Sequence, residues 1–211
     1  MGVVKRNNLW RLFLFSLTAA GLLEGSAVAQ DPVWQVIEDW ELVVASPDNG
    51  ISGPQVTCTI SPLGNLSGQY ATFDLNHRAS PSFAAGGMHL HLWEGETRLG
   101  TLSRQSGMVL STANETLTWK TIMSVDAGVL IFDIDSGVST TWGSFGSTIL
   151  SSAVTTLTNL DQYSPDVSVA HSGIGFASNR VTSLKLKRVT YRRVSGATTV
   201  DSTERVLHLV Q

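Results

Sequence analysis

Residues 117–145, LTWKTIMSVDAGVLIFDIDSGVSTTWGSF, alternate apolar and polar side chains over two successive stretches. Leu117, Trp119, Thr121, Met123 and Val125 fall on one parity; Thr118, Lys120, Ile122, Ser124 and Asp126 fall on the other, with Ile122 as the single break. A period of two belongs to a strand with one buried face. Asp126-Ala127-Gly128 reads as a short hairpin loop. The return strand sets Leu130, Phe132 and Ile134 against Val129, Ile131, Asp133 and Asp135, and Ser136-Gly137 turns the chain into a third strand. The prediction is a three-stranded antiparallel meander, and the rest of the chain must pack on it.

Similar short runs flank this centre. Strands are expected over 33–45, 54–60, 69–77, 88–93, 97–103 and 108–111, separated by Gly, Pro, Asn and Ser clusters. Within 149–160, Leu150, Val154, Leu157 and Leu160 recur at spacings of three and four, which suits one short helix. Another strand is expected within 167–177. Over 181–193, Leu184 and Leu186 share one parity and Val189 and Tyr191 the other; a β-bulge near Lys187-Arg188 would place all four on one face. An edge strand is expected within 198–209. Many short strands with almost no helix predict an all-β protein, a two-sheet antiparallel sandwich or jelly roll.

The first segment reads differently. Lys5, Arg6 and Arg11 precede an apolar stretch over 12–23, and Ala27-Val28-Ala29 supplies small residues for a cleavage site. This predicts a secretory signal peptide over 1–29 and a single mature domain over 30–211, secreted or held in a periplasm or cell envelope. The apolar stretch is shorter than a membrane span needs, and no later stretch is a candidate. The formal net charge is −3, which argues against nucleic acid as a partner. Cys58 is the only cysteine, so an intrachain disulfide is excluded; its parity with Val56 and Ile60 makes it a buried small hydrophobe. Trp34, Trp40 and Trp119 are expected in the core. Arg180, Lys185, Lys187, Arg188, Arg192 and Arg193 read as a solvated sheet face. Asn65-Leu66-Ser67 and Asn114-Glu115-Thr116 are glycosylation sequons.

Trp119-Lys120-Thr121, the run from Val125 to Phe132, Asp135 to Trp142, and Gly173 to Val181 leading into Leu184–Tyr191 together resemble the concanavalin A-like lectin and glucanase superfamily, which includes laminin G-like domains. The resemblance spans roughly 120 residues and lies in the order of strands. It implies a jelly-roll sandwich of two curved antiparallel sheets with glycan bound on the concave face or in rim loops. Glycosidases of that group carry Glu-x-Asp-x-x-Glu on a strand. Here Asp133-Ile134-Asp135 is followed by Val138 where the last Glu should stand, so the retaining-glycosidase arrangement is absent.

Among residues with chemistry, His89-Leu90-His91 is the sharpest local signal. On a strand His89, His91 and Trp93 share a face, and Met88, Leu90 and Leu92 share the other. An indole stacks on the C–H face of a sugar ring while imidazoles and carboxylates bond its hydroxyls. Asp133 and Asp135 join such a site if their strand shares the face, and Trp142 can stack from a rim; the alternative is that Trp93 and Trp142 close the edges of the core. Two imidazoles at i, i+2 can also chelate a metal, with Glu94, Glu96 or His77 completing the set. His89-x-His91 followed by Glu96 resembles part of the first cupin motif, though Gly100 comes too early and no second motif appears around His171. Asp161 and Asp166 flank Ser164-Pro165 and can face a calcium ion, but without a recognised loop spacing; no cofactor is otherwise implied.

The expectation is a secreted, non-enzymatic, lectin-like module for a polysaccharide or glycan surface, centred on His89, His91, Trp93, Asp133, Asp135 and Trp142. The alternatives are a cupin-type metal enzyme using His89, His91 and Glu96, and a structural or adhesion protein of the envelope without a small ligand.

Overall fold

The computed structural model describes residues 31–46, 53–77 and 86–210; the expected signal segment lies outside them. Two antiparallel sheets form a sandwich. The strands among the described residues are β1 (Val33–Val44), β2 (Gln55–Ile60), β3 (Gln69–Leu75), β4 (Gly87–Glu94), β5 (Thr97–Gln105), β6 (Glu115–Asp126), β7 (Val129–Ser139), β8 (Gly143–Phe145), β9 (Ile149–Val154), β10 (Gly173–Phe176), β11 (Val181–Arg193), β12 (Thr198–Asp201) and β13 (Arg205–Leu209), with one α-helix, α1 (Pro165–His171), and a single 3-10 turn at Ser178–Arg180. The eight-stranded sheet runs β12-β11-β1-β6-β7-β8, with β13 also paired to β11 and β9 to β7; the five-stranded sheet runs β10-β2-β3-β4-β5.

The meander is present as β6, β7 and β8. Asp126 pairs with Val129, leaving a two-residue turn with φ +46° at Ala127 and +77° at Gly128. Positive φ at both positions matches the right-handed twist of the flanking strands. Leu117, Trp119, Met123 and Val125 of β6 and Leu130, Phe132 and Ile134 of β7 are all buried. They meet Val56, Cys58, Ile60, Ala71, Phe73, Leu75, Met88, Leu90 and Leu92 from the smaller sheet in one core. Trp40 stacks on Trp119, its register partner, with ring centroids 6.3 Å apart, and Phe73 meets the same indole edge-on at 6.3 Å. That triad joins the sheets through large aromatic surfaces.

The expected bulge is at Lys187: Asp39 pairs with Arg188 and Trp40 with Leu186. The extra residue resets the parity, so Leu184, Leu186 and Val189 are fully buried and Tyr191 packs against the core. Lys185 and Lys187 stay on the outer face, where both meet Glu204, and Arg188 bonds Asp39 at 2.7 Å.

Three expectations are corrected. Residues 149–160 do not form a helix; Ile149–Val154 is β9, paired with β7. Ile149 faces the core while Leu150 and Val154 are 50% and 83% exposed, so the spacing of three and four came from an edge strand. The helix is α1, Pro165–His171, and the strand expected within 167–177 is present as β10, Gly173–Phe176, paired with β2. Ser164 caps α1, accepting from the Asp166 N–H, and Pro165 opens its first turn. Met108–Ser111 is not a strand, although Val109 and Leu110 are buried. Trp34 is half-buried, not in the core; a register shift between Val33 and Gln35 turns Val33 inward.

No helix among the described residues is long and apolar enough to cross a membrane.

Candidate functional site

Strand β4 alternates strictly. Met88, Leu90 and Leu92 enter the core, so His89, His91 and Trp93 stand on the outer face of the five-stranded sheet. The register of β3 against β4 sets Asp74 opposite His89, Thr72 opposite His91 and Tyr70 opposite Trp93. On the other side β5 sets Ser103 opposite His89 and Thr101 opposite His91. His77, just past β3, returns to the same place: its backbone N–H donates to the Gly87 carbonyl at 3.0 Å, and its ring lies 4.0 Å from that of His89.

The face has two parts. At one end is a polar cluster. His91 Nε2 lies 3.3 Å from Asp74 Oδ2, and His77 Nδ1 lies 3.8 Å from the same oxygen. His91 Nδ1 is 2.8 Å from the Thr101 hydroxyl, and His89 Nδ1 is 3.2 Å from that of Ser103. The Thr57 hydroxyl donates to the other Asp74 oxygen. Burial, opposed in part by Asp74, pushes the His77 pKa below its ordinary value. Burial, reinforced by His77 and His91, brings His89 down to about 4. His89 is therefore neutral at pH 7.

At the other end is an aromatic pair. Tyr70 and Trp93 are half-buried, with ring centroids 6.3 Å apart and planes within 10° of parallel. Both rings are anchored: Trp93 Nε1 donates to the Thr72 hydroxyl at 3.1 Å, and the Tyr70 hydroxyl donates to the Gly95 carbonyl at 3.1 Å. Exposed Arg98 stands opposite Trp93 in the β4–β5 register.

The remaining candidates stand elsewhere. Asp133 and Asp135 share parity on β7, but Leu130, Phe132 and Ile134 take the core side. The two aspartates are therefore on the outer face of the eight-stranded sheet, turned away from His89 and His91. Burial and the charge of Asp135 raise the Asp133 pKa. Trp142 follows β7; its Nε1 donates to the Met108 carbonyl at 2.7 Å and its ring meets Phe145 edge-on. Glu96 lies in the β4–β5 turn, roughly 20 Å from His89 at about 3.3 Å per strand residue, so Asp74 and His77 occupy the neighbourhood where Glu96 was expected. Asp161 accepts from the Val33 N–H at 2.9 Å, and Asp166 faces Arg205 at 3.9 Å.

Asp74 was missed because its tie to His89 and His91 is a cross-strand register, which local periodicity does not encode. A second missed group is Glu38. It sits in the inward column Val36, Glu38, Trp40, Leu42, Val44 of β1 and is fully buried; that parity alone could have flagged it. Oε2 accepts from Trp40 Nε1 at 3.0 Å and the Thr121 hydroxyl at 2.7 Å, and Oε1 accepts from Tyr163 and from Ser168 of α1. Burial raises its pKa despite these four donors.

Comparison with protein-family models, with curated proteins and with solved structures finds no significant match to this chain.

Proposed function

We propose that this chain is an exported, non-enzymatic binding module that takes carbohydrate on the outer face of its five-stranded sheet. The near-parallel Tyr70–Trp93 pair carries the reading. Two adjacent rings, each anchored by a hydrogen bond through its polar atom, offer an apolar surface whose orientation is set before a ligand arrives. A sugar stacking there loses little to ordering the protein, and Arg98 and the histidines lie on the same face for its hydroxyls. The basic start, apolar run and Ala27-Val28-Ala29 of the first segment support export. On this reading the sandwich belongs with the concanavalin A-like lectins.

The test is binding of the full chain to a panel of soluble and insoluble polysaccharides, with and without calcium. Saturable binding to one glycan class, lost in Trp93→Ala, is the expected result. A folded protein that binds none of them overturns the reading and moves the weight to an adhesion role.

A further inference from the structure

We infer that Asp74, His77 and His91 form a binding site for a borderline-soft divalent transition metal ion, of which zinc is the type. One carboxylate oxygen and two imidazole nitrogens of these residues lie within 4.8 Å of one another. Ligand atoms held about 2.0–2.2 Å from zinc in a tetrahedron are about 3.3 Å apart. The Asp74–His91 separation of 3.3 Å already has that value, and the Asp74–His77 separation of 3.8 Å needs only a small inward turn of His77.

Three further observations point to a ligand. His77 Nδ1 is buried yet has no hydrogen-bond partner among the described residues, and a buried nitrogen of that kind calls for a water or an ion. His91 is 91% buried at its side chain, and its Nδ1 is engaged by Thr101, which directs Nε2 at Asp74. Asp74 is likewise oriented by Thr57 through its other oxygen. Two of the three ligands thus have an outer partner that fixes their aim, as metal ligands do. Two imidazoles with one carboxylate favour zinc, copper or nickel over calcium or magnesium, which take oxygen. Three protein ligands leave a coordination position for water or for a hydroxyl of a bound molecule. His89 walls the site on one side, its ring 4.0 Å from His77. The metal site adjoins the proposed glycan surface but does not rest on it.

Zinc uptake by the full chain, purified without a histidine tag, is measured by competition with a chromophoric chelator in the absence of glycan. One ion per chain is expected. His77→Ala should weaken binding by more than the roughly 10–100-fold that loss of an outer hydrogen-bond partner costs, whereas His208→Ala should leave it unchanged. His77 lies beyond the end of β3 and its side chain is 22% exposed, so this variant is chosen to keep the fold; Thr101→Val gives an independent reading, with a loss of about tenfold. Two results overturn the site: no zinc uptake by the folded wild-type chain, or equal affinity in wild type, His77→Ala and Thr101→Val. Either would leave His91 and Asp74 as a plain hydrogen-bonded pair.

Discussion

The Tyr163 hydroxyl donates to Glu38 Oε1 at 2.7 Å inside the sandwich, tying the segment before α1 to the strand at the centre of the larger sheet. Removing the carboxylate leaves the Tyr163, Ser168 and Thr121 hydroxyls as buried donors without that acceptor, while Trp40 Nε1 keeps the Thr121 oxygen at 3.0 Å. Glu38→Ala is expected to cost about 3 kcal/mol, read by denaturant unfolding at constant m-value.

The same carboxylate shapes the response to pH. Its folded pKa is raised, so the native state holds the proton more tightly. Glu38 then contributes most stability below pH 4.5 and loses it as pH rises through its folded pKa. His77 and His89 act oppositely. Their folded pKa values are depressed, so their contribution is complete above pH 6.5 and is lost as pH falls toward about 4, the folded value for His89. Unfolding curves across this range should show Glu38→Gln flattening the alkaline decline and His89→Gln flattening the acid one. A parallel displacement of the whole curve in either variant would contradict the assignment.

Trp93→Ala should weaken glycan binding by about tenfold or more, the scale of one stacked aromatic contact, with an unchanged circular dichroism spectrum. Trp142→Ala, in the turn between β7 and β8, should leave the affinity untouched; isothermal titration of both variants separates them.

Cys58 is 1% exposed, and burial, with the charges of Glu38 and Asp74, pushes its thiol pKa well above 9. A disulfide reagent should reach it only when the native state opens, so the labelling rate at fixed reagent concentration should rise steeply with denaturant.

Gly146 has φ +97°, and a Cβ there would stand 2.8 Å from the Ile134 carbonyl oxygen and 2.9 Å from the Asp135 Cα. Gly146→Ala is expected to cost about 2 kcal/mol. Gly100→Ala, where a Cβ meets nothing within 4 Å, should stay within about 1 kcal/mol of wild type. Thermal melts of the pair check the contrast.

Where one face of a strand is buried, the sequence is a direct record of the fold. Leu117–Val125, Leu130–Ile134 and the parity change at Lys187 could be read residue by residue because each inward side chain has a core to enter. Leu150 and Val154 could not, since an edge strand can expose apolar residues and imitate a helical spacing. Half of the candidate site was legible in the same way: His89, His91 and Trp93 follow from alternation along β4. Asp74 and Tyr70 become partners only through the β3–β4 register, a property of the assembled sheet.

Strand β1 pairs with β6 on one side and with β11 on the other, so Val36 faces both Met123 and Tyr191. The larger sheet therefore cannot close while the chain is still emerging from a ribosome; its first strand waits for one that follows well over a hundred residues later. Contacts of such long sequence separation make folding slow. A chain built this way holds its first strand unpaired on one side until its last long strand has been made, so the sandwich is completed as a whole and not strand by strand.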